Sequence, residues 1–169
     1  MARPLNRGQH DGGADAVRTS MEFTLEQLSP DNVTSLFDGA YYKAETNRVR
    51  NQGDETEVAV TTTVWSDGRP VQVYASPTDQ VFVFRYSANY GEATEAQVLR
   101  ACNLIDEFPV HARAEKDADG AWVITFIYKH IVPEGVGLGA REIVGVFRVF
   151  EKLLTAHMQN FHALVMQAE

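Results

Sequence analysis

The sequence predicts an α+β fold in which helices cover one antiparallel sheet. From Leu138 to about Gln167, apolar residues recur at intervals of three and four, the spacing of one helix face. Five earlier runs have strand length and strand-like apolar patterns, and turn-rich segments join most of them. One shorter helical pattern precedes these runs and another interrupts them. The predicted order is therefore α-β-β-β-α-β-β-α.

Composition and charge narrow the class of protein. The chain has 169 residues, of which 44% are hydrophobic, and this suits one domain with one core. Its net charge of −8 argues against a nucleic-acid binder, which needs a basic surface. Cys102 is the single cysteine, which excludes an internal disulfide and favours a reducing compartment. With no signal-peptide pattern and no membrane-length apolar run, we expect a cytoplasmic protein.

The start of the chain divides into a tail and a helix. Residues 1–22 have few large apolar side chains and are predicted to be a flexible tail, whereas residues 23–169 are predicted to form a single domain. Ser29 suits the N-cap of the first helix and Pro30 its first turn. Gly39 can end that helix.

An antiparallel meander is predicted next. A short strand at Tyr41–Glu45 is an open alternative, followed by a polar loop through Glu55. Three strands then follow, joined by hairpin-length turns: Glu57–Trp65, Val71–Ser76 and Val81–Ser87. The last of the three is apolar on both faces, so we place it inside the sheet.

A second helix and a hairpin complete the predicted elements. The helix covers Glu92–Phe108 and ends at Pro109, and Cys102 lies on its packed face. The strands Val110–Lys116 and Ala121–Val132 form the hairpin.

Aromatic and aliphatic side chains of the sheet and the last helix form the candidate interaction surface. Core packing beneath the helix accounts for one sheet face, and the other face is open to a ligand, a partner or a second copy. Only Arg85 and Lys129 are interleaved with the aromatic residues, which disfavours nucleic acid. The candidate residues are Phe82, Phe84, Tyr86, Trp122, Phe126, Tyr128, Phe147, Phe150, Leu154 and Phe161.

No catalytic, cofactor-binding or metal-binding set is predicted. The glycine-rich segment Gly135–Gly139 lacks the third glycine of a dinucleotide fingerprint and the Lys-Ser/Thr of a phosphate loop. His157 and His162 are five residues apart, so they do not share a helix face. His157 lies on the apolar stripe, and we interpret it as a packed imidazole rather than a general base.

Four segments carry a family resemblance: Val81–Tyr86, Ala101-Cys102-Asn103, the hairpin Ala112–Ile124 and Glu134-Gly135-Val136. Through these segments the chain resembles the YbjN family, described as bacterial sensory-transduction regulators with a fold like that of type III secretion chaperones. The likeness extends from Phe23 to Phe161. The resemblance implies a non-enzymatic protein-interaction domain, a homodimer, with no catalytic residues to transfer.

Three functional hypotheses follow. The first is a non-catalytic protein-interaction module, a regulator or chaperone-like protein whose protein partner is unknown. The second is a secretion chaperone that binds an effector segment. The third is a small-ligand-binding domain or enzyme that uses the aromatic sheet face. We expect no nucleic-acid partner, no membrane partner and no cofactor.

Overall fold

The computed structural model describes residues 22–50, 57–91, 93–105 and 109–166, and these ranges contain helices and strands in the proportions of an α+β fold. The helices are α1 (Pro30–Gly39), α2 (Glu95–Ile105) and α3 (Ala140–Met166), and a 3-10 turn covers Leu25–Gln27. The strands are β1 (Glu22–Phe23), β2 (Ala44–Arg50), β3 (Glu57–Ser66), β4 (Arg69–Ser76), β5 (Val81–Asn89), β6 (Val110–Lys116), β7 (Trp122–Ile131) and β8 (Leu138–Gly139). The predicted tail lies outside the described residues, except for Glu22.

Six strands form one antiparallel sheet in the order β2-β3-β4-β5-β7-β6. The predicted α+β class and the antiparallel sheet are confirmed. β5 lies between β4 and β7, and its first four residues, Val81 to Phe84, are all buried. The prediction that this run lies inside the sheet is therefore confirmed.

The edge strand β2 begins within the alternative short strand at Tyr41–Glu45 and continues through the first part of the predicted polar loop, as far as Arg50. Its residues are polar because they contact α1 through hydrogen bonds rather than apolar packing. The Thr46 hydroxyl lies 2.9 Å from that of Thr34, and the Arg48 guanidinium lies 2.8 Å from the Asp31 carboxylate. Alternation of apolar residues does not predict such a strand over its full length. The sheet has four strands before α2, which agrees with the alternative that included a short strand at Tyr41–Glu45.

Helix α1 begins and ends where the sequence predicted. The Ser29 hydroxyl accepts a hydrogen bond from the backbone N–H of Asn32 at 3.3 Å, and Pro30 occupies the first turn. The helix ends at Gly39, and Tyr41 follows with a φ of 66°. This left-handed residue turns the chain back toward the sheet.

Helix α2 is shorter than predicted because a capping box fixes its start. The backbone N–H of Thr94 donates to the Gln97 side chain at 2.8 Å, and the Thr94 hydroxyl accepts from the Gln97 backbone at 3.3 Å. The helix therefore begins at Glu95 rather than Glu92. The predicted end at Phe108 lies outside the described residues.

Helix α3 carries the largest apolar face of the fold. It begins at Ala140, since the two preceding residues pair with Glu22 and Phe23 as β8. The predicted stripe is confirmed, because its core-facing members recur every three or four residues and all but the partly buried Met158 are buried: Ile143, Phe147, Phe150, Leu154, Met158, Phe161 and Val165. Within the described ranges, no helix combines the length and apolar content needed to cross a membrane.

Phe84 of β5 occupies the centre of the core. Its ring centroid lies 5.6 Å from that of Phe147, 5.7 Å from that of Phe150 and 5.9 Å from that of Tyr128. Aromatic pairs at these separations and tilts stabilise the fold by more than the burial of their surface alone. Phe37 of α1 joins the cluster at 4.9 Å from Phe147. The aromatic cluster thus joins α1, α3 and the two central strands.

Replacing Phe147 with alanine is expected to lower the free energy of unfolding by about 3–5 kcal/mol, because a buried ring is lost and a cavity remains. Val149 lies on the same helix with 49% of its surface exposed, so Val149→Ala is the matched control. The control should change the free energy by no more than about 0.5 kcal/mol. Urea unfolding followed by circular dichroism measures both variants. Equal losses of unfolding free energy in Phe147→Ala and Val149→Ala would contradict this packing.

A second prediction concerns alkaline pH. Burial raises the pKa of the Tyr90 and Tyr128 hydroxyls. These tyrosines therefore lose their protons at a lower pH in the unfolded chain than in the folded chain. Their contribution to the free energy of unfolding is complete below about pH 10 and is lost as the pH rises through the folded-state pKa values.

We expect the urea midpoint to fall above about pH 10, and to fall less in the double variant Tyr90→Phe/Tyr128→Phe. The Tyr41 side chain is 99% exposed, so Tyr41→Phe is the control and should leave the decline unchanged. Midpoints measured from pH 8 to pH 11 provide the comparison. An identical decline of the urea midpoint in the double variant and the unchanged protein would show that Tyr90 and Tyr128 are not the cause.

Candidate functional site

The ten residues predicted as an interaction surface belong to the core. Seven of them have no exposed area: Phe82, Phe84, Phe126, Phe147, Phe150, Leu154 and Phe161. The other three, Tyr86, Trp122 and Tyr128, are partly buried against the same core. A side chain without exposed area in the single chain does not contact a partner, so the surface assignment is wrong for the seven. Periodicity identified a buried face, and the helices of this same chain cover it.

The opposite face of the sheet is mixed in character. Cross-strand pairing places Arg85 beside Ile127, and the Arg85 guanidinium lies 3.8 Å from the Glu115 carboxylate. Lys129 is exposed, and Ile131 is 68% exposed at the end of β7. The predicted aromatic residues are on the helix-covered face. The opposite face therefore differs in composition from the aromatic surface that the sequence predicted.

The glycine-rich segment has a packing role. Its last two residues, Leu138 and Gly139, form strand β8, and helix α3 follows. A Cβ on Gly137 would lie 3.0 Å from the Cβ of Glu22, so glycine allows β1 to pass close to this segment. Cys102 is buried in α2. In the part of the chain that the structure describes, no three His, Cys, Asp or Glu side chains gather as a metal site.

A concave surface lies between α1 and α3, and we call it the α1–α3 groove. Phe37 and Phe147 join the two helices, and on the solvent side of that contact the helices leave an open trough of about 920 Å³. Its α1 wall consists of Asn32, Ser35, Leu36 and Gly39, and its α3 wall consists of Arg141, Val144, Gly145 and Arg148. In both walls the residues stand at positions i, i+3, i+4 and i+7, which is one helix stripe. Phe23, Ala40, Tyr41 and Ala140 complete the lining.

Two glycines leave unfilled space in the groove. Gly145 lies in the interior of α3, where glycine costs about 1 kcal/mol relative to alanine. A Cβ built on Gly145 meets no atom within 4 Å, and the same is true of Gly39 at the end of α1. Neither glycine is required by close packing within this chain. Both leave space that a partner side chain can occupy.

The charge of the groove is opposite to that of the chain. Its lining contains two basic residues, Arg141 and Arg148, and no acidic residue, although the chain carries a net charge of −8. Neither arginine forms an ion pair with a residue in the described ranges. The groove therefore combines a largely apolar lining with two positive charges, of which Arg148 also interacts with the Tyr42 hydroxyl.

Arg148 lines both this groove and a second, more polar depression. The second depression has a volume of about 690 Å³ and is also lined by Tyr42 and Glu151. The Tyr42 hydroxyl donates to the Glu151 carboxylate at 3.0 Å. Burial raises the pKa of Tyr42, and the neighbouring negative charge of Glu151 acts in the same direction, whereas Arg148 lowers it. At neutral pH the hydroxyl is a donor, and it fixes Glu151 beside Arg148.

Comparison with known proteins identifies the fold. No protein-family model and no curated protein matches the sequence. Among solved structures, the chain is similar to the crystal structure of YbjN from E. coli, a protein proposed to be a transcription regulator. The match covers 82% of this chain and 93% of that chain, with a TM-score of 0.53 and 12% sequence identity. The chain has the YbjN fold. At this identity the similarity extends to the fold alone.

Within this YbjN fold, the sequence interpretation missed the groove residues. Val144 was not assigned to the apolar stripe, although it is only 8% exposed. The available signal was local: a glycine inside a long helix, flanked by Arg141 and Arg148 with no acid on that stripe. The pattern marks an unusual helix surface, but it cannot identify the opposite wall.

His157 is the remaining candidate from the sequence, and it is partly buried on α3. Its Nε2 atom is buried without a hydrogen-bond partner among the described residues. An unpartnered buried nitrogen costs free energy and contributes none.

We therefore expect His157→Leu to leave the free energy of unfolding unchanged or to raise it by about 1 kcal/mol. His162 is exposed on the same helix, so His162→Leu is the matched control. Urea unfolding at pH 7.5 measures the effect. A loss of more than about 1 kcal/mol for His157→Leu alone would show that the imidazole makes a stabilising contact.

Proposed function

We propose that the chain is a non-catalytic protein-interaction module and that the α1–α3 groove binds a segment of its partner. The open apolar groove itself carries this proposal. A pocket for a small molecule buries most of its ligand, whereas this trough is open along its length between two helices. An elongated partner segment suits such a surface better than a compact metabolite.

The unoccupied positions in the groove support the same proposal. Gly145 weakens α3 at a site where nothing in the chain requires glycine, and Tyr41 extends into solvent at the groove margin. Apolar groups that are exposed together favour association, because a partner removes them from water. We propose that residues 23–169 act as one domain and, given the single cysteine, that it works in the cytoplasm.

The fold neighbour supports a regulatory role of this kind. Its proposed activity is transcription regulation. The net charge of −8 disfavours direct contact with DNA phosphates, so we propose that any regulation passes through a bound protein. A secretion chaperone remains the alternative within the same class, because it too would bind a protein segment.

Filling the groove tests the proposal. Gly145→Trp should remove partner binding, since the indole would occupy the trough, while Gly145→Ala adds one methyl group and should retain binding. Both changes remove a helix-interior glycine and should not destabilise the fold, so the pair separates obstruction from stability. Quantitative affinity capture from cells identifies the partner, and titration calorimetry with that purified partner gives the Kd. We expect Gly145→Trp to raise the Kd at least tenfold.

The same partner and the same Kd for all three proteins would refute groove binding. Stabilisation of the chain by one class of metabolite, lost in Gly145→Trp, would favour the small-ligand alternative instead.

We also propose a homodimer, as the resemblance implies. Sedimentation velocity over a hundredfold range of protein concentration measures it directly. A strict monomer throughout that range would exclude a stable dimer and would leave the groove proposal intact.

A further inference from the structure

We infer that the α1–α3 groove binds an amphipathic helix of a partner protein, and that Arg141 and Arg148 contact carboxylates along one edge of that helix. The inference rests on the proposed function and specifies the chemistry of the partner. Three features of the groove lead to it: the nature of its walls, the sign of its charge, and the spacing of its two arginines.

The walls favour a helix over an extended strand. Both walls are stripes of α-helices, whose interior N–H and C=O groups already bond within the helix. A strand laid between them would find few backbone partners, whereas a helix satisfies its own backbone. Each wall presents positions i to i+7, so the trough is at least two turns long, or about 10 Å. An apolar helix face can pack there against Leu36, Val144 and Phe23.

The charge favours an acidic edge on that helix. The lining has two arginines and no acidic residue, and neither arginine is ion-paired within the described part of the chain. The overall negative charge of the chain does not override this local charge, because the Debye length at physiological salt is only about 8 Å. Arginine also contacts a carboxylate through two parallel hydrogen bonds.

The spacing of the two arginines predicts the spacing of the acidic residues on the partner helix. Arg141 and Arg148 are seven residues apart on one stripe of α3, about 10 Å along its axis. A partner helix aligned with α3 therefore meets them with carboxylates two turns apart, and the opposite wall of Asn32 and Ser35 requires no charge. Arg148 already faces Tyr42 and Glu151, so Arg141 is the more selective probe.

Designed peptides test this inference without a known partner. We specify three fluorescein-labelled helical peptides of one length with an identical leucine stripe, which carry Glu, Gln or Lys at two edge positions seven apart. Fluorescence anisotropy with the full chain gives each Kd at 0.05 M and 0.5 M NaCl. We expect the Glu peptide to bind at least tenfold more tightly than the Gln peptide at low salt, and the Lys peptide to bind most weakly. The difference should shrink at high salt, because salt screens the charges.

Charge reversal distinguishes the groove from a general charge effect. Arg141→Glu should weaken binding of the Glu peptide and strengthen binding of the Lys peptide. Arg113 is exposed on β6, away from the groove lining, so Arg113→Glu makes the same change in net charge as a matched control and should leave the order intact. The gain with the Lys peptide is a readout that a misfolded variant cannot produce.

The outcomes separate this inference from the proposed function. If Gly145→Trp blocks the native partner but the peptides bind without charge preference, the groove is the site and the acidic-helix inference is wrong. Equal effects of Arg113→Glu and Arg141→Glu would overturn it as nonspecific attraction. If Arg141→Glu instead dissociates a homodimer in sedimentation velocity, a second copy occupies the groove and the inference also fails.

Discussion

The fold depends on burial of the apolar face of α3 against the centre of the sheet. Phe84 on β5 contacts Phe147 and Phe150 from one helix and Tyr128 from the neighbouring strand, so a single ring joins three elements. Without α3 this sheet face would expose its largest side chains, because α1 and α2 contact mainly its two sides. Removing apolar area on this scale from water is the main favourable term in folding.

The same packing creates the candidate site. A helix of 27 residues turns one stripe toward the sheet and leaves its flanks for other contacts. One flank, the stripe from Arg141 to Arg148, faces α1 across the groove, where Gly145 and Gly39 present no side chain. The Phe37–Phe147 contact holds the helices together at the core, and the groove is the gap that remains on the solvent side.

The sequence predicted the elements that depend on apolar periodicity and missed those that depend on polar pairing. α3, β5 and the β6–β7 hairpin were predicted well because their apolar residues repeat at intervals set by the backbone. β2 was predicted only in part, as the alternative short strand at Tyr41–Glu45, because Thr46 and Arg48 attach the rest of it to α1 through hydroxyl and ionic contacts. β8 was missed because two residues carry no periodicity, and its partner, β1, is 116 residues away along the chain.

The candidate surface was misassigned for a related reason. A periodic apolar pattern predicts that a face is buried, but it does not predict what covers that face. In this protein the covering element is part of the same chain. The groove gives the opposite case, since its two walls lie about a hundred residues apart and neither is conspicuously apolar. Asn32, Ser35, Arg141 and Gly145 read as solvated surface when each helix is considered alone. The two stripes form one surface only because they face each other across a gap, with Leu36 and Val144 between them.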